Sequence, residues 1–130
     1  MIAEDIYKNA LSLIGETVDT AQNQDYLERA PYILADFCSQ MRGIDKAARD
    51  MKAVSGGNTD VGVYLNLEDK FPLLDDFAPS AATYLGAMLV IDYDAELYER
   101  LFERYCDSIS TVCSSIPSVS GSTINKYFCD

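Results

Sequence analysis

The residues of this chain whose types and spacing come nearest to chemistry are carboxylates. Asp92, Asp94, Glu96, Glu99 and Glu103 follow one another closely, and Asp-x-Asp-x-Glu is how a calcium-binding loop can begin. Such a loop needs Gly at its sixth position for the sharp turn, and counting from Asp92 that position holds Leu97. Glu99 and Glu103 stand one helical turn apart, yet a dinuclear site in a helical bundle needs Glu-x-x-His, and the chain has no His. Arg100 and Arg104 sit beside them and make an ordinary solvated helix face, while Asp94 reads as a helix cap. Without His, the usual general base and the Ser/His and Cys/His nucleophile pairs are also excluded. Ser55-Gly56-Gly57-Asn58 lacks the Lys and the following helix of a phosphate loop. Cys38, Cys106, Cys113 and Cys129 contain no Cys-x-x-Cys pair, so no zinc site is expected. The reading expects no catalytic residue, no metal and no cofactor, and therefore no enzyme.

Cations are sparse. Ten Lys and Arg against 21 Asp and Glu leave a net charge of −11, which argues against gripping nucleic acid, because phosphate binding needs clustered cations. The one basic cluster is Arg42, Lys46, Arg49 and Lys52, at spacings that place all four on one broad helical face. Two roles fit it: a solvated helix end favoured by the macrodipole, or a docking patch for an acidic neighbour.

The elements that would position these residues are mostly helices. Ile6, Ala10, Leu13 and Ile14 form one stripe, with Glu4 and Asp5 in the first turn and Gly15 as the stop, so a helix is expected over 3–14. A second is expected from about Asp25 to Arg42 on Tyr26, Ala30, Ile33, Leu34, Phe37, Cys38 and Met41. Pro31 suggests that its first turn starts near Arg29, and Gly43 suggests its end. Ile44 to Val54 reads as a short helical continuation, 55–60 as a loop, and Val61, Val63, Leu65 and Leu67 alternate like a strand. Asp75-Asp76 reads as the N-cap of a helix with Pro79 early in it, and the small residues Ala82, Gly86 and Ala87 imply burial on several sides. Asp94 should cap a fourth helix to about Val112, whose stripe of Leu97, Leu101, Phe102, Tyr105, Ile109 and Val112 is the clearest in the chain.

Residues 108–123 hold nine Ser or Thr in 16, with Pro117 and Gly121, and lead to the apolar tip Ile124-Asn125-Lys126-Tyr127-Phe128. An apolar tip on a polar leash points either to a partner surface or to the chain's own core. At 130 residues the chain fits one domain with a core of its own. The expected fold is mainly α: a small four-helix bundle over 1–114, with a projecting loop or hairpin arm at 55–70, and an extended C-terminal interaction tail over 115–130. The opening Met-Ile-Ala-Glu-Asp-Ile lacks a basic region followed by an apolar stretch, and the longest apolar run, Tyr84 to Ile91, is too short to span a bilayer. No signal peptide and no membrane partner are expected, and the cysteines are expected reduced, as in a cytoplasm.

The order of the pieces carries a resemblance. Ile6-Tyr7-Lys8-Asn9-Ala10-Leu11-Ser12-Leu13-Ile14-Gly15-Glu16 comes first, then Asp25-Tyr26-Leu27-Glu28-Arg29-Ala30-Pro31-Tyr32-Ile33-Leu34. Phe71-Pro72-Leu73-Leu74-Asp75-Asp76 follows, feeding the Ala/Gly-rich helix and Asp92-Tyr93-Asp94-Ala95-Glu96-Leu97-Tyr98. Over roughly residues 2–107 the chain resembles the head–tail connector (adaptor, or head-completion) proteins of tailed bacteriophages and prophages. The resemblance implies a non-enzymatic virion protein, assembled in the bacterial host cytoplasm. Its subunits would form a ring, usually dodecameric, under the portal, extend the DNA channel without binding DNA specifically, and dock a stopper or tail-completion protein. Connector arms commonly make such contacts, which by position assigns interface roles to Val61, Val63 and Leu65 and to Ile124, Tyr127 and Phe128. Arg42, Lys46 and Arg49 join them as the docking patch. Two alternatives stand beside this reading: another phage morphogenesis protein (tail-completion or stopper), which is more often rich in β structure, and a cytoplasmic helical regulator that binds a peptide or protein.

Overall fold

In the computed structural model, which describes residues 1–16, 23–54 and 61–116, four α-helices carry the chain. They are α1 (Ala3–Leu13), α2 (Asn23–Lys52), α3 (Ala78–Val90) and α4 (Ala95–Ser114), and a 3-10 turn, Asp75–Phe77, leads into α3. The fold is a small, mainly helical bundle built around α3. Eleven of the 13 residues of α3 are buried, because α4, α1 and α2 all pack against it. Small side chains make this possible. A Cβ placed on Gly86 would lie 3.4 Å from Ile14 and 3.5 Å from Leu101, so α1 and α4 close on α3 at the same point.

Helix α1 buries Ala3, Ile6, Tyr7, Ala10 and Leu11. It stops at Gly15 as expected: with φ at 78°, the Gly15 and Glu16 N–H groups turn back onto the Ser12 and Leu11 carbonyls at 3.2 and 2.8 Å. Its other end is closed by a distant segment. The free N–H groups of Ala3 and Glu4 donate to the Asp69 and Leu67 carbonyls at 2.9 and 2.8 Å, which satisfies donors that a helix start leaves open.

Helix α2 departs from expectation. It is one helix of 30 residues that begins before Pro31 and passes through Gly43. The reason is burial on both sides of each break: Tyr26 and Ala30 precede the proline, and Ile44 and Ala48 follow the glycine, all in the core. Packing of a continuous stripe outweighs local costs of about 3 kcal/mol for Pro and about 1 kcal/mol for Gly. The helix ends where Ala53 takes φ 56°, with Val54 N–H donating to the Arg49 carbonyl at 2.9 Å.

The expected strand over Val61–Leu67 is not formed. Among the described residues the only β pairing is an isolated bridge between Ile2 and Lys70. Alternation alone makes no strand without a second strand to pair with. Residues 65–74 instead run across the bundle: Leu65 N–H donates to the Pro31 carbonyl at 3.0 Å, and Leu65, Phe71 and Leu73 are buried. Residues 55–60 lie outside the described residues.

The acidic pair Asp75-Asp76 lies in the 3-10 turn and gives α3 no side-chain cap, although Pro79 stands in the first turn of α3 as expected. Asp94 does cap α4, accepting from the Leu97 N–H at 3.0 Å. Helix α4 buries Leu101, Tyr105, Cys106, Ile109 and Cys113, and the core continues to Ile116 just beyond it. Cys38 and Cys113 are free and buried. Cys106 is disulfide-bonded, with its partner outside the described residues, against the expectation of four reduced thiols. Sequence spacing does not determine cysteine pairing.

Candidate functional site: a groove and an aromatic edge on α2

Two interhelical clamps shape the exposed side of α2. At one end, Arg29 donates through Nη2 to the Met88 carbonyl at 2.9 Å and through Nη1 to the Leu89 carbonyl at 3.3 Å. These are last-turn carbonyls of α3 that lack partners within their helix. Asp25 holds the guanidinium at 3.3 Å and also accepts from the Tyr93 hydroxyl at 3.0 Å. Two helical turns further along α2, Asp36 Oδ2 accepts from the Tyr84 hydroxyl at 2.6 Å and from the Gln40 amide at 2.8 Å. Burial above all, and then the hydrogen bond to Asp36, push the Tyr84 phenol up to about 12. The ring of Tyr84 continues an aromatic chain into the core, with centroids 5.7 Å from Phe37 and 5.1 Å from Tyr105.

Between the clamps lies an open groove of about 470 Å³. Its apolar walls are Tyr32 and Ile33 of α2, Tyr84 and Met88 of α3, and Ile91 just beyond. Glu28 and Asp36 stand on its rim. Beside it, Tyr32 meets Tyr64 edge to face with centroids 5.0 Å apart. Tyr32 is 56% exposed, Tyr64 50% and neighbouring Val63 79%. Apolar and aromatic side chains held out in this way, on a rigid helix and a pinned turn, make a surface for protein contact. They offer no nucleophile or base. No group of three or more His, Cys, Asp or Glu among the described residues is placed to hold a metal ion, and none of the helices there is long and apolar enough to cross a membrane.

The residues expected at an interface are separated by the structure. Val63 is on the exposed edge, whereas Leu65 is 3% exposed and belongs to the chain's own core. Val61 is half-buried against that core. The basic face is divided as well. Arg42 and Lys46 are exposed on α2, but Arg49 is turned inward. Its Nε donates to Asp45 at 2.8 Å and its Nη2 to the Pro72 carbonyl at 3.1 Å. Lys52 pairs with Asp76. Asp45 is 0% exposed and also accepts from the Leu74 N–H at 2.9 Å, so Asp45 and Arg49 together pin the 72–74 segment to α2. Burial pushes the neighbouring Cys38 thiol up to about 12, and the Asp45 charge adds to that. Ile124, Tyr127 and Phe128 lie outside the described residues.

Sequence reasoning passed over Arg29, Asp36, Gln40 and Asp45. Each belongs to an i,i+4 pair on α2: Asp25–Arg29, Asp36–Gln40 and Asp45–Arg49. Such pairs are commonplace on solvated helices, so their spacing alone did not separate clamps from surface decoration. No protein-family model, no curated protein and no solved structure matches this chain.

Proposed function

We propose that this chain is a structural subunit of a head–tail connector. Copies of it form a ring beneath a portal protein, extend the DNA channel, and dock a stopper or tail-completion protein. The observation that carries the reading is the ordered set of sequence pieces, 6–16, 25–34, 71–76 and 92–98. Their positions in the fold support it. Gly15 ends α1, Arg29 clamps α2 to α3, residues 72–74 are pinned by Asp45 and Arg49, and Asp94 caps α4. The resembling pieces are thus the joints of the bundle, which a family sharing one fold would keep in order. A net charge of −11 per subunit suits a channel that DNA must slide through, since phosphate contacts would hold it back. The exposed edge of Tyr32, Val63 and Tyr64 suits a ring contact, in which two different surfaces of neighbouring copies meet head to tail.

Native mass spectrometry of the purified chain, alone and with the portal protein from the same genome, tests the proposal. A ring-sized species or a portal complex of matched stoichiometry is expected. A monomer indifferent to the portal overturns the reading. That outcome would favour the second reading, a helical protein that binds a peptide partner, for which the α2–α3 groove is the specific observation.

A further inference from the structure

Away from the groove, α1, α3 and α4 meet around a second depression of about 400 Å³, large enough to take one aromatic side chain. Its lining joins apolar Leu13 and Pro79 to the exposed polar residues Asn9, Arg104 and Asp107. Two further hydroxyls there are already engaged. Thr83 Oγ1 donates to the Ser80 carbonyl at 3.0 Å, and Ser108 Oγ lies 2.7 Å from Ser80 Oγ. The side chains of Asn9, Arg104 and Asp107 are not: among the described residues none of them makes a hydrogen bond or an ion pair. Arg104 and Asp107 remain apart although they stand one turn from each other on α4 with opposite charges. The depression therefore offers guanidinium and amide donors, one carboxylate acceptor and apolar surface together.

A phenol matches such a lining. Its ring is apolar and draws a cation to its face, and its hydroxyl both donates to a carboxylate and accepts from an amide. The Tyr32–Val63–Tyr64 edge presents two phenols. Their hydroxyls have no partner among the described residues, and the rings stand half-exposed against each other. They do not reach the depression of their own copy. Tyr32 lines the groove with Tyr84 and Met88, whereas the depression takes Pro79 and Thr83 of the same helix. At about 100° per residue those two pairs point roughly 140° apart around α3. Edge and depression thus lie on opposite sides of the bundle and meet only between copies.

We infer that this depression receives the Tyr32–Val63–Tyr64 edge of a second copy, with Arg104 against the inserted ring and Asp107 accepting its hydroxyl. Tyr64 is the inserted ring, since Tyr32 also lines the groove of its own copy. The inference rests on the ring reading in taking the edge as a contact between copies, and it names the surface that the edge meets. Two different surfaces joined in this way repeat head to tail, and the series either closes into a ring or runs on as an open chain.

Two defective variants test it. Tyr64→Ala removes the inserted ring and Asn9→Trp fills the depression; both positions are exposed, and melting curves verify that the folds persist. Each variant alone is expected to lose the assembled species in native mass spectrometry, with association weakened about tenfold. Mixed in equal amounts, the two should form a dimer and nothing larger, because the Asn9→Trp copy lends its edge to the intact depression of the Tyr64→Ala copy. Photo-crosslinking locates the contact. With Tyr64 replaced by benzoylphenylalanine in the full chain, irradiation should join two chains through adducts on Leu13 and Pro79 of the second. Such adducts in a protein that builds only open chains overturn the ring and sustain the inference. A ring that either variant still forms, a mixture as monomeric as its components, adducts confined to other surfaces, or no adducts between chains overturn the inference, and a wild-type ring seen beside any of these leaves the ring reading standing.

Discussion

Asp45 is the residue on which the crossing segment most depends. Its carboxylate is fully buried, one oxygen on Arg49 and the other on the Leu74 N–H. Removing one member of a buried pair leaves the other desolvated without compensation, so Asp45→Ala should lower unfolding free energy by about 3 kcal/mol in denaturant titrations. Burial also predicts an alkaline weakness. Tyr84 and Cys38 are both raised to about 12, from ordinary values of 10.0 and 9.0. In that window the unfolded chain releases protons that the folded chain retains. The stability these groups contribute is therefore complete below about pH 9 and is lost as pH rises through 12. Melting temperature should be flat from these groups up to pH 9 and then fall, and Tyr84→Phe should make the fall shallower. Neither effect was legible in the sequence, because an i,i+4 acid–base pair and a tyrosine in an apolar stripe look the same whether solvated or enclosed.

At the scale of elements, α2 tolerates two residues that ordinarily interrupt helices, and it can be improved at one of them. Gly43 is exposed in mid-helix, and a Cβ there would meet nothing within 4 Å. Gly43→Ala should therefore stabilise the protein by about 1 kcal/mol, by limiting the unfolded chain and favouring helix. The end of the same helix offers the converse change. Ala53 occupies the left-handed region at φ 56°, a conformation in which a Cβ costs about 1 kcal/mol. Ala53→Gly should raise the denaturation midpoint by a comparable free energy, and the two gains should add, since the sites are distant along the helix. The stripes of α1, α3 and α4 were readable because each is short and strongly patterned. In α2, local signals at Pro31 and Gly43 contradicted a stripe that continued past both, and burial decided between them.

For the whole molecule, one exposed position separates folding from assembly. Val63 is 79% exposed, so Val63→Asp should leave unfolding free energy unchanged within about 0.5 kcal/mol. If the Tyr32–Val63–Tyr64 edge is the ring contact, the same substitution should remove the ring-sized species in native mass spectrometry. Leu101→Asp is its counterpart. It places a charge at a site 2% exposed beside Gly86, and should cost several kcal/mol of stability in thermal unfolding.

The sequence by itself determined that this protein is built of helices around a small-residue helix. Apolar periodicity, the Gly15 stop, Pro79 in the first turn of α3 and the Asp94 cap are all local signals, acting within one or two turns of chain. Only the tertiary structure decided what became of the alternating segment 61–67, of the basic face of α2 and of the acidic residues on its flank. Leu65 went to the core, Arg49 to a buried carboxylate, and Arg29 to the carbonyl end of another helix. Those outcomes depend on partners between 4 and 60 residues away, and whether a pair is enclosed or solvated is set by what packs over it, which no local spacing records.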